Sequence, residues 1–137
     1  MKRFVLTLCA IACSLFVLGV SAAESQNRPA RPAARGSVMH VVSFKFKADA
    51  GADKIKEVEK AFAALKQKIP QIVSYEWGTN ISPEKLNKGF THAFVLTFKN
   101  AGDRDAYLVH PAHKEFGKLV GPVLDDVFVV DFVAKHN

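Results

Sequence analysis

The chain has 137 residues, 49% of them hydrophobic and 23% charged, which fits one globular domain and excludes collagen-like, disulfide-scaffold and wholly disordered proteins. The formal net charge is +6, but five of the 19 basic residues and only one of the 13 acidic residues precede Ser37. The remainder therefore carries about +2. Nucleic-acid binding needs a clustered basic face, so we expect no nucleic-acid partner.

Residues 1–23 have the pattern of a secretory signal peptide. Two basic residues precede an apolar run over residues 4–20, and small residues mark a cleavage site after Ala23. An uncleaved membrane anchor and lipidation at Cys13 are the alternatives. Cleavage would also remove the second cysteine, Cys9, and leave a secreted or periplasmic protein with no thiol and no stable membrane insertion.

Residues 24–36 have the composition of an Arg/Pro-rich linker. They include two prolines, three arginines and three alanines but no large apolar side chain. Such a segment buries too little surface to offset the conformational entropy lost on ordering. Exposed charged residues are usually solvated, so a solvated tether is favoured over a contact between the three arginines and an anionic surface. The folded domain is therefore predicted to cover residues 37–137.

The first half of this domain predicts a strand followed by a helix. Residues 39–47 alternate between two faces, as expected of a strand. One face carries every second residue of this segment: His40, Val42, Phe44 and Phe46. Residues 53–68 repeat apolar side chains three and four positions apart, which predicts an amphipathic helix that ends before Pro70.

The second half predicts three more strands and a broken helix. Residues 72–79 and 90–98 are predicted strands, joined by a polar hairpin loop at residues 80–89. Residues 102–119 have a helical pattern that a His-Pro pair interrupts, and proline favours the first turn of a new helix. Residues 127–133 form the last predicted strand.

The resulting order, β-α-β-β-α-β, predicts an α+β ferredoxin-like fold with helices over one face of a four-stranded sheet. The opposite face is expected to carry large apolar side chains: Val41, Tyr75 or Trp77, Val95, Phe128, Val130 and Phe132. A monomer of this size rarely exposes such a patch, and an apolar surface left in water is the alternative. We therefore predict a homodimer in which two sheets pack face to face into a barrel.

Five strings in the domain occur together and carry a resemblance. They are MHVVSFKFK at residues 39–47, YEWG at 75–78, GFTH at 89–92, YLVHPAH at 107–113 and VVDF at 129–132. In these strings the chain resembles the stress-responsive dimeric α+β barrel family, known as Dabb, over about residues 38–134. The resemblance implies the ferredoxin-like fold and the dimer but no particular activity, because a fold alone does not confer one.

Around Tyr107 the chain is similar to plant polyketide cyclases of this family, which close a polyketide chain by aldol condensation without a cofactor. This resemblance implies three catalytic residues. His113 would be the general base, Tyr107 would donate to a developing enolate or carbonyl oxygen, and Asp131 would orient the imidazole of His113. Without the resemblance, a histidine in such a helix would be interpreted as a hydrogen-bonded core residue.

A cleft between sheet and helices is the predicted binding site for a small apolar or aromatic molecule. The residues predicted to line it are His40, Val42, Phe44, Phe62, His92, Phe94, Leu96 and Phe116. The alternative for His40 and His92 is a hydrogen bond to Asp131 or to the backbone inside the core.

Two alternative functions remain open. One is a cofactor-free cyclase or lyase using His113 and Tyr107, and the other is a haem-binding or oxygen-using barrel protein, although no haem-specific string is present. His110 and His113 have a spacing that a metal could use, but no Cys and no HExxH string accompanies them. We therefore expect no metal and no cofactor.

Overall fold

The computed structural model describes residues 36–135, so the predicted signal peptide and nearly all of the predicted linker lie outside the described residues. The elements follow in this order: β1 Val38–Phe46, α1 Ala52–Lys68, β2 Ser74–Thr79, β3 His92–Phe98, α2 Ala101–Val109, α3 Pro111–Val120 and β4 Leu124–Val133. A 3-10 turn, Gly121–Val123, joins α3 to β4. The predicted ferredoxin-like order is confirmed, and the broken helix consists of α2 and α3.

The four strands form one antiparallel sheet in the order β2-β3-β1-β4. β1 therefore lies in the interior of the sheet, and β4 lies at an edge. The pairing of β1 with β4 places His40 directly opposite Asp131 and Val42 opposite Val129. Paired residues share a face of the sheet, so the helix-facing side of β4 carries Val127, Val129 and Asp131.

Helix α1 packs its apolar stripe against the sheet and supplies the centre of the core. Val58, Phe62 and Leu65 are its buried residues, spaced four and three apart as one helix face requires. The Phe62 ring lies 4.5 Å, centroid to centroid, from both Phe94 of β3 and Phe116 of α3. One aromatic side chain thus joins the sheet to both the first and the last helix.

The break between α2 and α3 is built by the His110-Pro111 pair. His110 caps α3, since its Nδ1 accepts a hydrogen bond from the backbone N–H of Ala112 at 3.1 Å. Pro111 occupies the first turn, as predicted, where its missing N–H costs nothing. The break brings Tyr107 from the end of α2 against His113 from the start of α3, with ring centroids 4.3 Å apart.

The side of the sheet away from the helices, here called the outward face, is rich in apolar side chains: Met39, Val41, Val95, Phe128, Val130 and Phe132. Placing Tyr75 or Trp77 on this face was wrong. Tyr75 lies opposite Leu96 and Trp77 opposite Phe94, so both aromatics lie on the helix side. Trp77 stacks on His92 there and stays 44% exposed.

The helices of the described segment are also informative about membranes. Among residues 36–135, no helix is both long enough and apolar enough to cross a bilayer.

Candidate functional site

A cleft of about 340 Å³ opens between the β1–β4 side of the sheet and helices α2 and α3. It exists because β4 extends beyond the cover of the helices, which leaves Val127 and Val129 about half exposed on their helix-facing side. None of the described residues that line the cleft is a Lys, Arg, Asp or Glu. A concave, apolar site of this size with a few polar groups is typical of small-molecule binding.

The structure brings most of the sequence-predicted site residues into this cleft. The predicted residues that line it are His40, Val42, Phe44, Phe62, Tyr107, His113 and Phe116. Their roles in binding or catalysis stay predictions. His92, Phe94 and Leu96 do not line it, because β3 lies on the far side of β1 from β4.

The three β3 residues have other surroundings. Phe94 and Leu96 are fully buried in the core. His92 Nε2 lies 3.1 Å from Glu59 Oε1, and its Nδ1 lies 2.8 Å from Thr91 Oγ1. Both ring nitrogens of His92 are therefore used inside the fold, but by the side chains of Glu59 and Thr91 and not by Asp131 or the backbone, the partners named in the alternative.

His40 reaches the cleft from the middle of the sheet. Its Nδ1 is joined to Asp131 Oδ1 by a 2.5 Å hydrogen bond across the β1–β4 pair, and the His40 side chain is only 6% exposed. The other carboxylate oxygen, Oδ2, pairs with the guanidinium of Arg104 from α2. Burial, with the positive charge of Arg104 as a second cause, lowers the pKa of His40 from 6.5 to about 4.

Tyr107 lies beside His40, with ring centroids 5.6 Å apart. Its side chain is fully buried, and its hydroxyl has no hydrogen-bond partner among the described residues. Burial, and secondarily the nearby Tyr75, raises the pKa of Tyr107 well above the usual value. The phenol is therefore protonated at neutral pH and keeps its O–H donor.

His113 is held differently from what the resemblance implied. Its Nδ1 donates to the backbone carbonyl of Leu108 at 3.2 Å, while Asp131 bonds to His40 and Arg104. The expected orientation of His113 by Asp131 was therefore wrong. The reason is the sheet register, which sets Asp131 directly opposite His40. Burial lowers the pKa of His113, an effect that the Leu108 bond partly opposes.

Sequence reasoning missed Arg104 and the two β4 valines that line the cleft, Val127 and Val129. Arg104 lies one helical turn before Tyr107, a spacing that places both on one face of α2. Arg104 is a basic residue among the small and acidic residues that begin this helix, and this contrast was a signal in the sequence. Val127 and Val129 were also identifiable, because they alternate with Asp131 along β4.

The described residues do not suggest a metal centre. Between residues 36 and 135, no group of three or more His, Cys, Asp or Glu side chains is arranged to hold a metal ion.

Comparison with known proteins identifies the family. The profile of the stress responsive A/B barrel domain, Dabb, matches residues 38–134, which is most of the chain. The chain belongs to this family. It is 37% identical over 99 residues to the stress-response A/B barrel domain-containing protein HS1 of Arabidopsis thaliana, covering 72% of this chain and 91% of that protein.

The chain is also similar to two further proteins over nearly their whole lengths. The chain is 25% identical over 99 residues to olivetolic acid cyclase of Cannabis sativa, covering 72% of this chain and 98% of the cyclase. It is similar, with a TM-score of 0.65 and 25% identity, to a dimeric ferredoxin-like protein of unknown function from Jannaschia sp. CCS1. That match covers 72% of this chain and 100% of the other. Structural relatives of this Dabb domain are therefore dimeric ferredoxin-like proteins.

Proposed function

We propose that this protein binds a small, uncharged, apolar or aromatic molecule in the cleft between β1, β4, α2 and α3. The cleft lining offers no counter-ion for a ligand carboxylate or amine. A charged ligand would lose its hydration there without gaining a partner, so charged ligands are disfavoured. The apolar walls, which include Phe44, Phe62 and Phe116, favour an aromatic or branched hydrocarbon body.

The observation that carries this proposal is the buried hydroxyl of Tyr107. Buried polar groups in proteins are nearly always hydrogen-bonded, and one without a partner calls for an explanation. Tyr107 lines the cleft, and its hydroxyl has no partner among residues 36–135. A ligand oxygen would supply the missing partner once the ligand displaces the side chains that cover the hydroxyl, so the favoured ligand carries a carbonyl or hydroxyl group.

The Tyr107→Phe variant tests this proposal by separating binding from stability. We expect it to bind the probe acetophenone about fivefold more weakly in calorimetric titration, because one net hydrogen bond is lost. The unliganded variant should unfold in urea with a free energy unchanged or about 1 kcal/mol higher, because an unsatisfied buried hydroxyl is removed.

A purely structural role for Tyr107 predicts the opposite pattern. In that case the variant would be less stable than wild type, and acetophenone would bind both proteins equally or not at all. Val109→Ala is the matched control, since Val109 is an exposed residue of the same helix and does not line the cleft. It should leave probe binding unchanged.

We also propose that the protein is an exported homodimer. The outward face presents Phe128, Val130 and Phe132 at 40–54% exposure, which favours a second copy as its cover. The dimeric relative of the same fold supports this assembly. Export rests on the signal pattern of residues 1–23.

The mature N-terminus provides a direct test of export. We expect the intact mass of protein recovered outside the cytoplasm to match a chain that begins near Glu24. Such a chain lacks both cysteines, so its mass and folding should be unchanged by reducing agents. A mass that retains residues 1–23, or that includes a lipid on Cys13, would contradict cleavage at this site.

A second candidate function is cofactor-free chemistry on a carbonyl compound. It is favoured by the contact between the Tyr107 and His113 rings, the two residues that the cyclase resemblance implies. The chain also aligns with nearly the whole of olivetolic acid cyclase. A neutral imidazole beside a phenol donor suits proton removal next to a carbonyl group.

A further inference from the structure

Three side chains from three different elements form a chain of hydrogen bonds and ion pairs behind the cleft. Asp131 of β4 accepts from His40 of β1 through Oδ1 and pairs with Arg104 of α2 through Oδ2. His40 and Asp131 are directly opposite in the strand register, so the backbone itself sets their separation. Arg104 also contacts Asp105 at 2.8 Å. This second contact holds the guanidinium at the end of the hydrogen-bonded series that is nearest the surface.

This arrangement determines which nitrogen of His40 carries the proton. A carboxylate that faces an arginine on one oxygen is an acceptor, so His40 Nδ1 must be the donor in the 2.5 Å bond. The neutral ring then has a lone pair on Nε2, which has no partner among residues 36–135. Because His40 lines the cleft, this lone pair is available to a ligand.

His113 provides no equivalent anchor. Its Nδ1 donates to a backbone carbonyl at 3.2 Å, a longer bond to an uncharged acceptor, and its ring is only half-buried. A ring nitrogen in that more exposed position forms hydrogen bonds with water more readily. Charge-assisted bonds are shorter and stronger, so His40 has the more firmly fixed tautomer of the two.

We infer that His40 Nε2 is a fixed hydrogen-bond acceptor that makes the cleft selective for ligands with a hydroxyl donor, such as phenols and enols, over the corresponding ethers. Arg104 is the positioning residue that keeps Asp131 on His40. This inference rests on the proposed function, because it requires that the cleft binds a small apolar molecule. It adds a chemical class that the apolar lining alone does not specify.

Two isomeric probes test the inference directly. 4-Propylphenol and 4-ethylanisole have the same atoms, but only the phenol has a hydroxyl donor. Calorimetric titration of the dimeric wild-type protein should show the phenol binding about tenfold more tightly, since a buried acceptor left unpaired by the ether costs affinity. In His40→Phe, which keeps an aromatic ring but removes the acceptor, the ratio should fall to about one.

The Asp131→Asn variant separates positioning from packing. An amide can donate to His40 Nδ1 and thereby move the ring proton to Nε2, where it would serve ether and phenol oxygens alike. The phenol preference should then disappear, and the ¹⁵N shifts of His40 should report the changed tautomer. Arg104→Gln should reduce the preference and Arg104→Lys should restore it. Val109→Ala, outside the cleft, should not change the ratio.

The outcomes distinguish this inference from the proposed function. Equal affinities for the two probes in wild type, or a phenol preference that survives Asp131→Asn with the same ¹⁵N shifts, would overturn the inference while leaving the cleft a binding site. A preference lost in His113→Asn but kept in His40→Phe would assign the acceptor to His113 and also overturn it. Failure of both probes to bind would count against the proposed function and the inference together.

Discussion

Val130→Asp is expected to convert the proposed homodimer into monomer or aggregate. Val130 lies on the outward face in one row with Val41 and Val95, so it is central among the exposed apolar side chains of the sheet. In a face-to-face dimer each copy would bury this position against the other. An unpaired buried carboxylate costs several kcal/mol, so we expect dimer affinity to fall by about a hundredfold or more. Sedimentation equilibrium over a concentration series measures this change.

The control for this variant is Val109→Asp. Val109 is 64% exposed at the end of α2, away from the outward face, so the same chemical change should leave the dimer intact. Circular dichroism of Val130→Asp distinguishes a folded monomer from aggregate. A wild-type protein that sediments as a well-folded monomer at micromolar concentration would contradict the face-to-face dimer.

The fold followed from the sequence because most elements bury one face. β1 places His40, Val42 and Phe44 toward the helices and leaves Val41 outward, so period-two alternation predicted its two faces correctly. α1 was predictable for the same reason, since its apolar stripe has a single core to pack against. Predicted element ends differed from the observed ones by up to three residues, as at Leu124, where β4 begins before the predicted start.

β2 shows where the pattern was insufficient. It is an edge strand of six residues, and its two large aromatics, Tyr75 and Trp77, share one face. Either face could have been the helix side on alternation alone. The pairing of Trp77 with Phe94 places both aromatics on the helix side, and that pairing depends on the β2–β3 register. A long loop between the strands left this register undetermined from the sequence.

The sequence predicted most residues of the site but left the hydrogen bonds between them open. Alternation and the family resemblance together selected His40, Tyr107, His113 and Asp131, and three of these line one cleft. The partner of Asp131 is set by a register between strands whose bonded residues are 91 positions apart. No local pattern encodes that register, so the sequence left Asp131 with two possible roles, as orienter of His113 or as a hydrogen-bond partner of His40, and the structure shows the second. Arg104 was overlooked.

Stability should fall in mild acid because of His40. Burial, and then the charge of Arg104, lowers its pKa in the folded protein from 6.5 to about 4. Between these values the unfolded chain binds a proton that the folded chain does not, so lowering the pH favours unfolding. We expect about 2 kcal/mol of stability to be lost from pH 6.5 to pH 4, less than the full shift implies because solvent reaches the cleft.

Urea unfolding at fixed protein concentration, repeated across this pH range, measures the loss in wild type and in His40→Gln. The glutamine amide can still donate to Asp131 but does not titrate, so the variant should have a shallower pH dependence. His113→Gln is the matched control. Its pKa is lowered in the same direction, but part of that effect is opposed by the Leu108 carbonyl, so it should remove less of the slope. If His40→Gln and wild type lost stability equally between pH 6.5 and pH 4, the pKa of His40 would be the same in the folded and unfolded protein. The folded ring would then be protonated below pH 6.5, so hydroxyl selectivity through its Nε2 lone pair would be confined to higher pH.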